Sequence, residues 1–578
     1  MPLPLHRIEG AMTEADIKTL ITSRQKKLES LRSPMLDVWQ NVSEYVNIGL
    51  GDMSNTTNQT IQSLSALGRK SFNGTAIGAA VLATDGIHGY HVSPAFPWFS
   101  YMMSRNVLNK VPGIKEWLQA EEQEVYSTLN DSNFYAEMWP FIFNGFTVGT
   151  SLIYGEYDFD KSQVVFECVH PKEAYIAENR YSVVDVVHRK YRLTARQLVQ
   201  KFGKDKLPPA ISTAYETDPF QDFEIIHAVF PREEYDDRKA DAKNKKFASV
   251  WYATSTGTIL SESGYDGFPY KVWRYMRFSN YAYGLSPAIL SMCDIKGLNI
   301  ISKTMLGAAQ MYVDPPLNVP ADLVGKVQWK PRGINPYDKE NMFVRPAQLN
   351  SNFPVGVDRE TKMEASLKER FHVDTFLMLA QLEGRGNRTA YEVSEMMGEK
   401  AAILGAELAP LNVQMDSILD MVYSLKAGLN PENEGSITQR PDVLYELAVE
   451  GDSFSPIYMG PLAQAQRRLY KTQGMRGALE AVAPVLQLFP GSARVVNGDE
   501  TVRAILESYS FPQKAINDEK TVEAAKQAEA QAAQEAQSKQ DMLDMAGGAK
   551  DVAVADKNMN GKLSEMLTQG GGNAQPAG

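Results

Sequence analysis

The chain has 578 residues, 43% of them hydrophobic and 22% charged, with a net charge of −11. That length exceeds what one hydrophobic core serves, so several substructures are expected. A pI near 5.4 excludes broad adhesion to nucleic-acid phosphates, yet suits a surface that a duplex passes without sticking.

In chain order, MPLPLHRIEG lacks the apolar core of a secretory signal. Ile17, Leu20, Ile21, Leu28 and Leu31 then fall at helical spacing, and Pro34 interrupts them. Residues 49–60 are rich in Gly, Ser, Asn and Thr, the composition of a mobile surface loop. In SPAFPWF two prolines hold Trp98 and Phe99, which reads as a packed anchor. Ile114 to Leu129 reads as an amphipathic helix, and Asp131-Ser132-Asn133 as the turn into the next. From Ser151 to Trp273 the pattern changes to strands. VVFECV, YSVVDVVHRKYRL, FEIIHAVF, FASVWYA and YKVWRYMRF are β-branched and aromatic runs parted by turns. One helix interrupts this module, with a capping box at Thr194 and Gln197 and a stop at Gly203.

Ser286-Pro287 is a strong helix start, and Met292, Ile295, Leu298, Ile301 and Met305 make one apolar stripe behind it. Asp314-Pro315-Pro316 ends that helix. A Pro-rich spacer runs to Val357, with strand-like pieces at Val327-Gln328-Trp329 and Met342-Phe343-Val344. Thr361 and Glu364 are placed to cap the next helix, which carries Leu367, Phe371, Leu379 and Leu382. After the break Glu383-Gly384-Arg385-Gly386-Asn387-Arg388, Thr389 and Glu392 cap a long helix that Gly428 ends. Its interior Pro410 removes a backbone donor and should kink the axis. Helices return in the last quarter. Glu519 to Gln540 is Ala, Gln, Glu and Lys with almost nothing to face a core, and the end of the chain reads as a flexible tail.

No apolar run approaches the roughly 18 to 20 residues of a membrane span. Two cysteines, Cys168 and Cys293, are too few for a disulfide framework or a thiolate zinc site, so synthesis in a reducing cytoplasm is expected. A phosphate-binding GxxxxGK[ST] is absent, as are GxSxG and HExxH. His88 and His91 form the closest histidine pair, with no third ligand nearby; His170 and His188 read as structural. Carboxylates are scattered, so no catalytic residue, metal or cofactor is expected. The loop EGRGNR admits two readings: a flexible cationic tip that meets phosphates, or a polar helix connection whose arginines meet local acids.

The order and spacing of PWFSY, Trp117-Leu118, SNFY, HRKYRLTARQLVQKFG, YGLSPAILSMCDIKGLN, Pro315-Pro316, NRTAYEVSEMMGEKAAILGAELAPL and PLAQAQR resemble the portal proteins, the head-to-tail connectors of short-tailed bacteriophages. The resemblance covers roughly the first five hundred residues. It implies an α+β, mainly helical subunit of a dodecameric ring at one capsid vertex of the virion, made in the host bacterial cytoplasm. Double-stranded DNA would pass without sequence-specific contacts. A terminase motor, capsid or scaffold protein and a tail adaptor would be its partners, and no membrane.

It further implies an N-terminal helical wing part (1–148), a β-rich wing module (149–283), a first stem helix (284–310), a clip (311–357) and a second stem helix (358–382). A tunnel loop (383–388), a kinked wing helix and return (389–454) and a helical crown (455–545) would follow, and composition makes residues 546–578 a flexible tail. Glu383, Gly384, Arg385, Gly386, Asn387 and Arg388 would face the DNA, Pro410 would kink the wing helix, and Trp329, Lys330 and Arg332 would serve docking at the clip. The stem stripes are too narrow to be buried by one subunit's pair of helices, so neighbours should complete them. A tail adaptor, an internal ejection protein and a packaging enzyme are the alternatives.

Overall fold

The computed structural model describes residues 13–53, 70–105, 108–233, 241–278, 281–313, 317–318, 345–346, 353–375, 377, 390–429, 431–433, 435–446, 454–459, 481–482, 484, 495, 497–508, 517 and 519–558. They divide into two units at residue 478.

The first unit opens with α1 (Glu14–Tyr45), capped reciprocally by Thr13 and Asp16. It runs straight through Pro34, contrary to the break expected there. The carbonyl that Pro34 deprives of a partner is that of Ser30, an exposed residue, so the missing bond leaves no buried polar group unpaired. Meanwhile Met35, Trp39 and Val42 are buried at helical spacing and hold the next turns down. The expected mobile loop also starts packed: Leu50 and Met53 are buried, and Ser43 Oγ donates to the Gly51 carbonyl. Residues 54–60 lie outside the described residues.

Next come α2 (Thr75–His91), β1 (Phe99–Met103), α3 (Pro112–Asp131) and α4 (Phe134–Val148). Trp98 and Phe99 are fully buried, as the proline-held anchor predicts. Trp98 packs against Phe134 and Tyr458, and the Tyr126 hydroxyl accepts from the amides of Trp98 and Phe99 at 2.8 Å each. β1 pairs antiparallel with β12 (Phe454–Tyr458), a strand the sequence reading did not anticipate. That strand belongs to the first unit's core, so residues 455–458 are not helical as the crown reading had them.

The β-rich module forms two sheets. The first, β3-β2-β9, comprises β2 (Thr150–Asp158), β3 (Gln163–Val169) and β9 (Tyr270–Arg274). The second is an antiparallel meander of β4 (Ala174–Glu178), β5 (Val184–Thr194), β6 (Asp222–Pro231), β7 (Phe247–Ala253) and β8 (Thr258–Tyr265). Alternation divides the faces of this meander. Ile225, Trp251 and Ala253 join one apolar cluster, while Ile226, Val250 and Tyr252 join another with Ile17 and Ile21 of α1. The first cluster is roofed by two helices, not the single one expected. α5 (Ala195–Phe202) has the predicted Thr194–Gln197 box and ends at Gly203; α6 (Pro209–Thr217) starts on Pro208-Pro209. Pro-Pro reads as a loop in sequence, yet proline is at ease in a helix's first turn.

Beyond the sheets lie α7 (Pro287–Leu290), α8 (Met292–Val313), α9 (Phe353–Arg370) and α10 (Ala390–Ala427), then a short α11 (Asp442–Glu446) before β12. Ser286 caps α7 by accepting from the Ile289 amide at 3.1 Å, with Pro287 in the first turn. α9 begins eight residues before the expected cap: Thr361 is interior, its hydroxyl donating back to the Val357 carbonyl at 2.9 Å. α9 ends at Arg370, where His372 adopts φ 55°. Thr389, Leu379 and Leu382 lie outside the described residues. In α10 Leu408, Leu411, Met415, Ile418 and Val422 are buried in one cluster with the Trp98 aromatics.

The second unit contains α12 (Gly498–Ser508) and α13 (Glu519–Asn558). Lys526 pairs with Asp499, and Arg503 donates to the Asn517 carbonyl at 2.7 Å. Apart from half-buried Val522, α13 is exposed along its described side chains up to Met542, as its composition requires. It continues through residues 546–558, which composition had assigned to the flexible tail.

Two glycines register how closely α4 meets the sheet. A Cβ on Gly145 would lie 1.9 Å from the Trp273 ring, whereas one on Gly78, inside α2, would meet nothing within 4 Å. Gly145→Ala should therefore lower stability by about 1–3 kcal/mol through overpacking. Gly78→Ala should raise it by up to about 1 kcal/mol through helix propensity. Urea unfolding midpoints check both signs.

Candidate functional site

The chain's most unusual surface lies on α8 and α9. Asp294 pairs with Arg370 at 2.8 Å, Gly297 faces Met363, Ser302 bonds Glu360, and Met305 lies against Gly356. Partners that ascend one helix descend the other, so the two are antiparallel. The strands β10 (Leu317–Asn318) and β11 (Arg345–Pro346) pair antiparallel just past the helix ends, Leu317 opposite Pro346, and continue the hairpin. At 1.5 Å per residue the 22-residue α8 is about 33 Å long.

The base of this hairpin is locked into the first unit. Ile295, Leu298, Leu367 and Phe371 are buried in a cluster with Trp39 and Val148. Residues 70–73 add a polar clamp that the sequence reading missed. Asn73 Nδ2 donates to Ser302 Oγ and to Glu364 Oε1 at 3.0 Å each, so one amide spans both helices. Asn299 Oδ1 accepts from the Phe72 amide and its Nδ2 donates to the Lys70 carbonyl. The only sequence signal for this clamp was the Asn73-Gly74 turn before α2.

Outward from the clamp, burial fails. Ile300 is 65% exposed, Leu306 52%, Met311 50% and Val313 87%; on α9 Val355 is 59% exposed. These side chains occupy two sides of α8. Ile300 and Met311 are three turns apart on one, Leu306 and Val313 two turns apart on another, roughly 140° away at about 100° per residue. A groove of about 380 Å³ runs along α9, lined by Val355, Asp358, Arg359, Lys362, Met363 and Arg370. Isolated soluble proteins seldom leave this much aliphatic surface on one element.

Of the residues singled out from sequence, Pro410 lies in α10 on its exposed side, between buried Leu408 and Leu411. The loop Glu383, Gly384, Arg385, Gly386, Asn387, Arg388 and the docking residues Trp329, Lys330 and Arg332 lie outside the described residues. Of the histidines singled out from sequence, His91 and His188 are buried and His88 and His170 half-buried. His88 Nε2 lies 3.0 Å from the Tyr135 carbonyl, and His91 packs against Tyr458. Burial lowers His91 and His170 to about 4 and His188 to about 3. Among the described residues no group of three or more His, Cys, Asp or Glu is placed to hold a metal ion.

A small cavity of about 60 Å³ between the two sheets is lined by Glu167, Arg189, Lys201 and His227. Burial opposes the Arg189 charge, but Glu167 and Glu173, the latter at 3.0 Å, outweigh it and keep the guanidinium ionised. His227 stacks on Trp251 at 4.1 Å and lies within hydrogen-bond reach of the Tyr270 and Ser249 hydroxyls. The polar groups there are paired with one another, so the cavity ties the sheets together.

An upright helix pair with bare aliphatic flanks on an α+β, mainly helical body defines a structural subunit built to meet other protein chains. The family model described as bacteriophage head to tail connecting protein matches residues 18–516, and the chain belongs to that family. It is 23% identical over 576 residues to the portal protein of Salmonella phage epsilon15, covering 97% of this chain and 99% of that relative. With the probable portal protein of Bordetella phage BPP-1 it is 26% identical over 491 residues, 82% of this chain and 84% of the relative. The portal reading therefore prevails over the tail adaptor, ejection protein and packaging enzyme alternatives.

The buried histidines give a test of the core around α10. His91, lowered by burial, binds fewer protons in the folded than in the unfolded chain between about pH 4 and 6.5. Its neutral form stabilises the fold fully above that window, and the contribution is lost as pH falls through it. Wild type should thus lose more stability than His91→Phe between pH 7 and pH 5 in chemical denaturation. Parallel losses would show that His91 is already solvated.

Proposed function

We propose that copies of this chain stand side by side as a closed ring at one vertex of a phage head, and that double-stranded DNA is packaged and ejected through the central hole. Unequal burial along the α8–α9 hairpin carries this reading. A subunit in a ring meets one neighbour on each side through two different surfaces, and α8 offers aliphatic residues on two sides. One neighbour's outward stripe would seat in the groove along α9. The twelvefold count comes from the family resemblance.

In this reading the helical N-terminal part and the two sheets form the wing, and α8 with α9 form the stem. The helix bounds carry the stem outward to Val313 and back from Phe353, so the clip narrows to the residues between them. Trp329, Lys330 and Arg332 would take part in docking there, first with the terminase motor and then with the tail adaptor. Residues 383–388 would be the tunnel loop, and α10, kinked at Pro410, would cross the wing. Strand β12 belongs with the wing, which leaves the later helices for the crown. Capsid or scaffold protein would surround the wing.

The chemistry required is slight. A net charge of −11 keeps the duplex from adhering, and rings of Arg385 and Arg388 would add weak, reversible phosphate contacts. Few base contacts are expected, because every sequence in the genome must pass. The subunit itself would perform no catalysis.

Two experiments test this reading. Wild-type protein should give closed rings with a central hole in negative-stain images, while Ile300→Asp combined with Leu306→Asp should shift the mass distribution towards single subunits. Persistently monomeric wild type would refute the ring. Replacing Arg385 and Arg388 together by Glu should leave rings intact and alter DNA packaging or retention. Unaltered packaging would make both arginines ordinary connection residues.

A further inference from the structure

Two exposed aromatic features of the β-rich module stand at opposite ends of one strand. Just before β5, Tyr181 and Val183 are 70% and 58% exposed; after β9, Phe278 and Tyr281 are 44% and 57% exposed. The two loops are tied into one surface. Arg274 Nη2 donates to the Ser182 carbonyl at 2.7 Å, and its Nη1 to the Ala282 carbonyl at 3.3 Å. Arg180 lies 4.5 Å over the Tyr181 ring, and Arg277 also reaches Ser182. Arg180 and Arg277 are exposed, so the patch is aromatic and cationic. Tyrosine, phenylalanine and arginine are the side chains that concentrate at protein interfaces.

At the far end of β5, Thr194 pairs with Asp222, and the turn before it presents Phe220, 70% exposed. The Phe220 amide donates to Asp218 Oδ1 at 3.1 Å, which props the ring outward. Asp218 and Glu216 flank it. Glu216 is paired with Lys204, whereas among the described residues Asp218 makes no ion pair. This is an aromatic knob with one carboxylate, Asp218, left for a partner's cation among the described residues.

From Val184 to Thr194 the chain spans about 33 Å at roughly 3.3 Å per residue. The knob and the patch therefore cannot meet within one subunit, although both are aromatic and they carry opposite charges. We infer that the Phe220 knob of one copy docks on the Arg180–Arg277 aromatic patch of the next, giving the ring a second, wing-level contact. The inference rests on the ring reading. It fits that reading because a head-to-tail ring needs two unlike, complementary surfaces on opposite sides of each subunit.

The test uses the full chain and mass photometry across a dilution series. Arg180→Glu with Arg277→Glu should raise the concentration for half-assembly about tenfold or more, as loss of interface anchors does. Phe220→Ser should do the same. Adding Asp218→Lys to the double arginine variant should recover part of the loss by restoring opposite charges. Circular dichroism should match wild type, and so should melting at dilutions where both are dissociated, since all these side chains are exposed. Rings that assemble at the wild-type concentration in both variants would overturn this contact and leave the ring reading standing; such a result would assign the patch to the capsid shell or another partner. Failure of the wild type to assemble would strike the ring reading itself.

Discussion

The hairpin of α8 and α9 is anchored at one end and bare at the other, and the rest of the account depends on that asymmetry. Its base shares a core with α1 and the sheets through Leu298, Leu367 and Phe371. Among the described residues, its outer half beyond Lys303 packs mainly on its own partner helix. Fully burying one large aliphatic side chain contributes about 1.5–3 kcal/mol, so covering Ile300, Leu306, Met311 and Val313 is worth several kcal/mol per subunit at most. Association itself costs about 4–15 kcal/mol in lost freedom. That gain falls within the range of the cost, so in the proposed ring further contacts between copies would tip the balance towards assembly.

The aromatic core of the first unit offers such contacts a firm base. Trp98 gathers Phe99, Tyr126, Phe134 and Tyr458, residues from distant parts of the chain, around one point. Strand β12 returns to β1 beside it, and the second half of α10 packs against the same cluster. The long helix that follows the 383–388 loop is therefore seated in the aromatic core. On its polar side Asp416 accepts from the Tyr458 hydroxyl, and Asp420 faces Lys271, whose pKa burial lowers to about 8. A displacement of α10 would break several of these contacts together, so the helix and this aromatic core should move as one body.

Much of this was legible before the structure because local chemistry and tertiary packing agree. Thr194 and Gln197 cap α5, Ser286 and Pro287 start α7, and the β-branched runs of the module are strands. The readings that failed did so where packing outweighs local preference. Pro34 does not stop α1 because Met35, Trp39 and Val42 behind it are buried. Residues 353–360 extend α9 upstream of the apparent Thr361 cap because Gly356 and Glu360 meet Met305 and Ser302 of α8. Strand β12 carries Pro456 and little alternation, so only its pairing with β1 reveals it. The Asn73 clamp joins residues more than two hundred positions apart, a distance no local pattern spans.

Amide hydrogen exchange along α8, compared between dissociated and assembled protein, tests the central claim most directly. Residues 292–298, anchored through Ile295 and Leu298 in the first unit's core, should exchange alike in both states, while residues 300–313 should slow sharply on assembly. Equal exchange of the outer half in both states would mean that no neighbouring subunit covers it, and would contradict the account.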